Sequence, residues 1–229
     1  MENKTKKLND DLIKFWNQAL KLPDDYQEEV GNYKDLAPSE KLYEAICSLR
    51  ECHKLLDYGC GSAWASIIAS KNGNKDILAV DLGNNIINTA NFYIKQYDCD
   101  IKAECVDANW LNTIEDNIFD GIICSNVLDV IPTEISENII EQFHRILKKD
   151  GLIVIGLNYY ISKEYAKEKG LNLVDGKYVI LENVLRLTSL SDEDWTSLFE
   201  PYFEIIKLDH FGWPGEQKET RRLFFLKRK

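Results

Sequence analysis

The chain has 229 residues, 45% of them hydrophobic and 29% charged, with Trp 5, Tyr 11 and Phe 9. This suits one α/β domain with a small addition and excludes disorder over most of the length. The formal net charge of −10 argues against a nucleic-acid partner, because an acidic surface repels a phosphate backbone. The longest uncharged, mostly apolar run spans 151–160, about half of the ~20 residues a membrane crossing needs, so no membrane partner is expected.

Apolar residues at Leu8, Leu12, Phe15, Trp16, Ala19 and Leu20 predict a helix over 8–21, stopped by Pro23. Pro38-Ser39-Glu40 opens a second helix with Leu42, Ile46 and Leu49 on one face. From residue 53 to 157 strands and helices alternate. Strands are expected over 53–58, 77–81, 101–106, 119–125 and 152–155, with helices over 63–71, 84–97 and 134–148 between them. Continuous Val/Ile/Leu runs indicate strands covered on both faces, the pattern of a doubly wound, mostly parallel sheet. Asp150-Gly151 reads as the turn into the fifth strand. Val174-Asp175-Gly176-Lys177-Tyr178 reads as a hairpin turn inside an insertion at about 158–190. Ser191-Asp192-Glu193-Asp194 caps a helix through Phe199. Strands at 202–209 and 222–227 follow. They are joined too closely for a parallel crossover, so they are expected to be antiparallel.

Basic residues gather at both ends, at Lys4, Lys6 and Lys7 and at Lys227, Arg228 and Lys229, and read as solvated termini. The N-terminus shows no secretory signal. Cys47, Cys52, Cys60, Cys99, Cys105 and Cys124 form no Cys-x-x-Cys pair. Buried reduced thiols are expected, with Cys60, Cys105 and Cys124 in or beside strands, which fits a cytoplasmic protein.

The most informative stretch is Asp57-Tyr58-Gly59-Cys60-Gly61, at the end of the first strand. Ligands of open α/β sheets sit beyond the carboxyl ends of the strands. Gly59 and Gly61 either let main chain approach a ligand or simply make a tight turn. Asp57 either meets a cationic ligand group or caps a helix. Asp81, ending the second strand, suits the two hydroxyls of a ribose or a capped strand end. A dinucleotide fingerprint needs a third glycine three residues after Gly61, and Trp64 occupies that place. A ligand with a ribose, an amino-acid tail and no phosphate suits the two carboxylates better.

Asp57-x-Gly59-x-Gly61 followed by Asp81 resembles the cofactor loop of class I S-adenosylmethionine-dependent methyltransferases. Val106-Asp107-Ala108-Asn109 resembles the family's third-strand turn, 119–128 its fourth strand, and Leu147-Lys148-Lys149-Asp150-Gly151 the turn before its fifth. The pattern departs from the family at Ala63, where a further glycine is common, and at the turn near 149–150. The resemblance implies a Rossmann-like mixed seven-stranded sheet, mostly parallel, with the last strand antiparallel. Residues 1–50 would be an N-terminal helical lid, and 51–229 the methyltransferase domain. It also implies S-adenosylmethionine as cofactor and S-adenosylhomocysteine as product. Cofactor contacts carry over to Asp57, Gly59, Cys60, Gly61, Asp81, Leu82, Asp107, Ala108 and Ser125. Asp107 meets adenine in this reading and forms an Asx-turn in the alternative. Trp110 covers adenine or packs elsewhere.

The implied reaction is in-line methyl transfer to a small, partly apolar molecule, with the protein supplying position and a dry site. Asp129 and His210 are the candidate bases, should the acceptor need one. Aromatic segments contribute Trp16, Tyr159, Tyr160 and Trp213 to the substrate pocket, with Phe15, Tyr165 and Tyr178 beside them. No acidic cluster suited to a metal is evident. The alternatives are a binding protein for the same cofactor without transfer activity, and an NAD-dependent oxidoreductase, which Trp64 disfavours.

Overall fold

The computed structural model describes residues 2–23 and 25–229, with side chains from residue 7 onward. Met1, Asp24 and the side chains of Lys4 and Lys6 lie outside the described residues. The chain begins with α1 (Glu2–Ala19) and α2 (Glu40–Cys47), whose N-cap Ser39 accepts from Leu42 N–H. The alternating region runs β1 (Lys54–Tyr58), α3 (Trp64–Lys71), β2 (Asp76–Asp81), α4 (Asn84–Gln96), β3 (Lys102–Cys105), β4 (Phe119–Ser125), α5 (Thr133–Ile146) and β5 (Leu147–Tyr159). An insertion holds α6 (Lys163–Lys169), β6 (Leu173–Val174), β7 (Tyr178–Leu181) and β8 (Val184–Thr188). The chain closes with α7 (Asp192–Phe199), β9 (Phe203–Phe211) and β10 (Arg221–Arg228).

The main sheet has seven strands in the order β3-β2-β1-β4-β5-β10-β9. β10 alone runs opposite to the other six strands, antiparallel to both β5 and β9. Strand order reverses between β1 and β4, which opens a crevice at their carboxyl ends. Alternate side chains feed two layers, as a period of two requires. Leu56, Ile122, Cys124, Ile153 and Ile155 pack with Phe143 of α5 and Trp195 of α7. Leu55, Ile123 and Val154 pack with Ile46 of α2, Ile68 of α3 and Ala90 of α4.

Four expectations need correction. The helix expected over 134–148 stops at Ile146, and β5 starts at once with Leu147. Phe119 pairs with Leu147 but Gly121 with Leu152, so 148–151 loop out within the strand rather than turning into it; Asp150 has φ +63 there. Residues 1–50 do not act as one lid, because Leu42, Ala45 and Ile46 of α2 belong to the core. Cys105 is exposed, since β3 is an edge strand; all six thiols are free. The hairpin at 174–178 forms, and it is extended by β8 through a tight loop at Glu182-Asn183 with φ +51 and +63. That two-residue loop matches the right-handed twist of strands. Among the described residues no helix is long and apolar enough to cross a membrane.

The α7 helix is held by Phe199, which is fully buried with its ring 5.1 Å from Phe224 and 5.9 Å from Trp195. Phe199→Ala is expected to cost about 3–5 kcal/mol, measured as a fall in urea unfolding free energy without a change in slope.

Candidate functional site

A cavity of about 1080 Å³ opens over the carboxyl ends of β1, β2 and β4 and is closed opposite by α1 and the insertion. Its floor begins at the β1–α3 loop. Gly59 and Cys60 both donate their N–H to the Val80 carbonyl, at 2.9 and 3.0 Å. Gly61 N–H donates to Asp81 Oδ2 at 3.1 Å, and Leu82 N–H to Asp81 Oδ1 at 2.7 Å. One carboxylate therefore clamps the loop of β1 to the loop of β2. Burial pushes the Asp81 carboxyl up, against these two amides, which favour the charged form. A carboxylate has about four acceptor positions, so two stay open for a ligand on the cavity side.

The two glycines have different reasons. At Gly59, φ is +73 and an added Cβ would stand 2.3 Å from Val127 Cγ2, so a neighbour of the same fold excludes a side chain. At Gly61, φ is +54 and an added Cβ would meet nothing within 4 Å; the backbone there faces the cavity. Ala63 also takes φ +62 and is fully buried. Trp64, at the first position of α3, fills part of the cavity wall.

The other candidates fall into two groups. Cys60, Asp81, Leu82, Ala108, Ser125, Trp16, Tyr159 and Trp213 line the cavity together with Gly59 and Gly61. Asp57, Asp107, Asp129, His210 and Tyr160 do not, nor do Phe15, Tyr165, Tyr178 and Trp110. Asp57 is buried under the loop and accepts from Ser66 Oγ at 2.6 Å; burial pushes its carboxyl up to about 6. Asp107 is exposed and accepts from Asn109 N–H at 2.8 Å, the Asx-turn alternative.

Asp129, expected as a candidate base, does not line the cavity. It is fully buried, accepts from Asn158 N–H, and its carboxyl is pushed up to about 6 by burial, against the pull of that amide and of Arg222. It thus positions Asn158, which does line the cavity. His210 lies on β9, away from the cavity, with Nε2 3.0 Å from Asp192 Oδ2 at the start of α7. Asp192 also faces the buried Arg222, whose Nε is 3.4 Å away.

Several cavity residues escaped the sequence reading. Asn126 is one; its Oδ1, together with Ser125 Oγ, which the sequence does place at the cofactor, is buried without a hydrogen-bond partner among the described residues and lines the cavity at the end of β4. Arg221 is held by Glu216 through Nε (3.1 and 3.0 Å) and Nη2 (2.6 Å), and by Asn158 Oδ1. Its guanidinium lies 3.7 Å from the Trp213 ring centre and 5.6 Å from that of Tyr159. Arg186 of β8 also lines the wall. The arginines carried no motif, and neither position falls within a strand expected from the sequence. Among the described residues no cluster of three or more His, Cys, Asp or Glu suits a metal ion.

The arrangement offers an acceptor pair for vicinal hydroxyls, a bare main-chain surface and two unsatisfied polar atoms on one side, and an aromatic wall on the other. Residues 55–151 match the family model described as "Methyltransferase domain". The chain is 28% identical over 133 residues to a ribosomal protein L11 methyltransferase of Thermotoga petrophila, covering 56% of this chain and 47% of that one. It therefore spans about half the length of that relative. It is 23% identical over 190 residues to a carboxy-S-adenosyl-L-methionine synthase of Actinobacillus succinogenes, covering 76% and 78%. In fold it resembles the N-methyltransferase NodS of Bradyrhizobium japonicum, solved with S-adenosyl-L-homocysteine. The TM-score is 0.64 at 13% identity, over 95% of this chain and 98% of that one.

Two outcomes follow from the geometry. Gly59→Ala is expected to destabilise by about 1–3 kcal/mol through strain and overpacking, and Val127→Ala in the same chain to recover part of it, read as a coupling in a double-mutant cycle. The raised carboxyl of Asp57 binds a proton in the folded chain that an ordinary aspartate, near 3.8, has lost. Its contribution is whole below that value and is lost as pH rises through about 6. Asp57→Asn should flatten the fall of the urea-derived unfolding free energy between pH 4 and 7, by at most about 3 kcal/mol.

Proposed function

We propose that residues 55–151, which match the model described as "Methyltransferase domain", form a class I S-adenosylmethionine-dependent methyltransferase domain, and that the protein methylates a small, partly apolar molecule. The observation that carries the reading is one cavity shared by two kinds of wall. The cradle of Gly59–Gly61, Asp81 and Leu82 stands on one side, and Leu12, Trp16, Tyr159, Leu187 and Trp213 on the other. At about 1080 Å³ it lies just above the range for a single ligand, ~300–1,000 Å³, which leaves room for an acceptor beside the cofactor.

The residues present suit the cofactor. Asp81 keeps acceptor positions for ribose hydroxyls, Gly61 leaves space for a tail, and Ser125 Oγ and Asn126 Oδ1 are polar atoms still in want of partners. Leu82, Val106, Ala108 and Leu111 are apolar surface for a nucleobase. When bound, S-adenosylmethionine supplies a methyl group on a sulfonium, which passes to a lone pair of the acceptor and leaves S-adenosylhomocysteine. The chain's own part is placement and exclusion of water. The Leu12–Trp16 face of α1 covers the cavity, so the lid role belongs to α1 rather than to all of 1–50. Arg221, fixed by Glu216 and Asn158, gives Trp213 and Tyr159 a rigid partner to stack on. Asp129 holds the main chain of Asn158 in place. The six free thiols suit the reducing cytoplasm, which is the compartment we assign.

The test is incubation of the protein with a labelled methyl donor and a fractionated extract. Label is expected in low-molecular-weight material. Label confined to protein would overturn the acceptor class while leaving the transfer reading intact. With the acceptor in hand, Trp16→Ala and Trp213→Ala should each lower kcat/KM about tenfold or more, equivalent to ~1.4 kcal/mol of lost transition-state stabilisation.

A further inference from the structure

Every arginine but one has an acceptor among the described residues. Arg50 pairs with Glu51, Arg145 with Asp116, Arg221 with Glu216, Arg222 with Asp192 and the Leu190 carbonyl, and Arg228 with Asn117. Arg186 forms no ion pair and donates no hydrogen bond among these residues, and its Nε is buried without a partner. It nevertheless stands in the wall of the cavity. Its guanidinium lies flat enough to sit 3.7 Å from the centre of the Phe15 ring. Stacking of this kind engages the face of the cation and orients it. It leaves the in-plane N–H groups unused, and a guanidinium has five of them and no acceptor of its own.

An arginine keeps its charge at any physiological pH. A half-buried one with unsatisfied donors is costly until an anion reaches it. The matching group is a carboxylate, which meets the guanidinium fork with two parallel hydrogen bonds. A doubly charged phosphate is less well served, because the other arginine of the wall, Arg221, is already neutralised by Glu216. Position decides which ligand brings the carboxylate. β8 belongs to the separate sheet β6-β7-β8 and not to the seven-stranded sheet whose loops form the cradle. Arg186 shares that insertion with Val179, Leu181 and Leu187 and faces α1, on the acceptor side of the cavity.

We propose that Arg186 is a specificity-determining residue that binds a carboxylate on the methyl acceptor, so that the acceptor is an organic acid with an apolar or aromatic body. The inference rests on the proposed function and deepens it. Phe15 holds the guanidinium in place, and the aromatic wall takes the rest of the molecule.

The experiment uses the full chain. Calorimetry first measures S-adenosylhomocysteine binding to the wild type, Arg186→Gln and Arg186→Lys. Melting temperatures are then taken under saturating S-adenosylhomocysteine with arylalkyl carboxylates such as phenylacetate and indole-3-acetate, each beside its primary amide and its phosphonate. At least one acid is expected to raise the wild-type melting temperature beyond its amide and phosphonate. Arg186→Gln should weaken that acid tenfold or more, Arg186→Lys should keep part of the response, and both should hold S-adenosylhomocysteine within threefold of wild type. The inference is overturned if no acid exceeds its amide, if the phosphonate is preferred, or if the preference survives Arg186→Gln. A tenfold loss of S-adenosylhomocysteine affinity in Arg186→Gln also overturns it, since the residue would then hold the cofactor's own carboxylate. If Arg186→Gln does not fold, loss of the acid preference in Arg186→Lys with unchanged S-adenosylhomocysteine binding still supports it, and its full retention there with the amide bound equally well overturns it. A wild type that fails to bind S-adenosylhomocysteine strikes the methyltransferase reading itself, and the inference with it.

Discussion

The clamp made by Asp81 is the interaction on which the rest of the site depends. Two main-chain amides, from Gly61 and Leu82, converge on its two oxygens. The loops after β1 and β2 are separate in sequence and tend to splay, because each ends a strand with no further ladder to join. A charge-assisted pair of hydrogen bonds to one carboxylate is stronger than neutral ones, and it fixes both loops to one point. The Val80 carbonyl adds to this by accepting from Gly59 and Cys60. The amides of Gly59, Cys60 and Gly61 are consequently spent within the fold. What the cradle offers a ligand is shape, the remaining carboxylate lone pairs and the polar atoms at the end of β4.

Beneath that floor lies a second polar layer that never reaches the cavity. Asp57 with Ser66, and Asp129 with the main chain of Asn158, are both sealed from solvent. Both carboxyls are raised to about 6, with burial the largest cause. Arg222, Asp192 and His210 continue the layer between β10, β9 and α7. Asp57, Asp129 and Arg222 are buried and paired, whereas Asp192 and His210 are partly exposed and pair with each other outside the cavity lining.

The opposite wall is made by elements outside the alternating pattern. α1 and β8 pack against each other, and the Phe15–Arg186 stack sits at their junction. The β9–β10 connection brings Trp213 over Arg221. Guanidinium–aromatic contacts therefore fix both halves of this wall, one with its cation neutralised by Glu216 and one with its donors still open. Such contacts suit a wall that must be apolar toward its ligand yet rigid, since each aromatic ring is held through its face.

The alternating βα core was legible because burial on both faces demands continuous Val, Ile and Leu runs, as at 77–80 and 152–155, and because Gly59, Gly61 and Asp81 sit at strand ends by spacing alone. The late antiparallel strands followed from the shortness of the connection between them. The insertion was only half legible. Gly176 announced its first turn, but Glu182-Asn183 makes the second with positive φ and no glycine, so β8 and with it Arg186 stayed hidden. The end of α5 was misread because 147–149 carry no helix breaker; pairing of Leu147 with Phe119 draws them into the sheet. Local composition thus determined which elements form and where their loops lie. Which carboxylates face the cavity was decided only by packing: a strand turns successive side chains to opposite faces, and sheet order and neighbouring layers then determine whether a given face meets solvent, a ligand or the core.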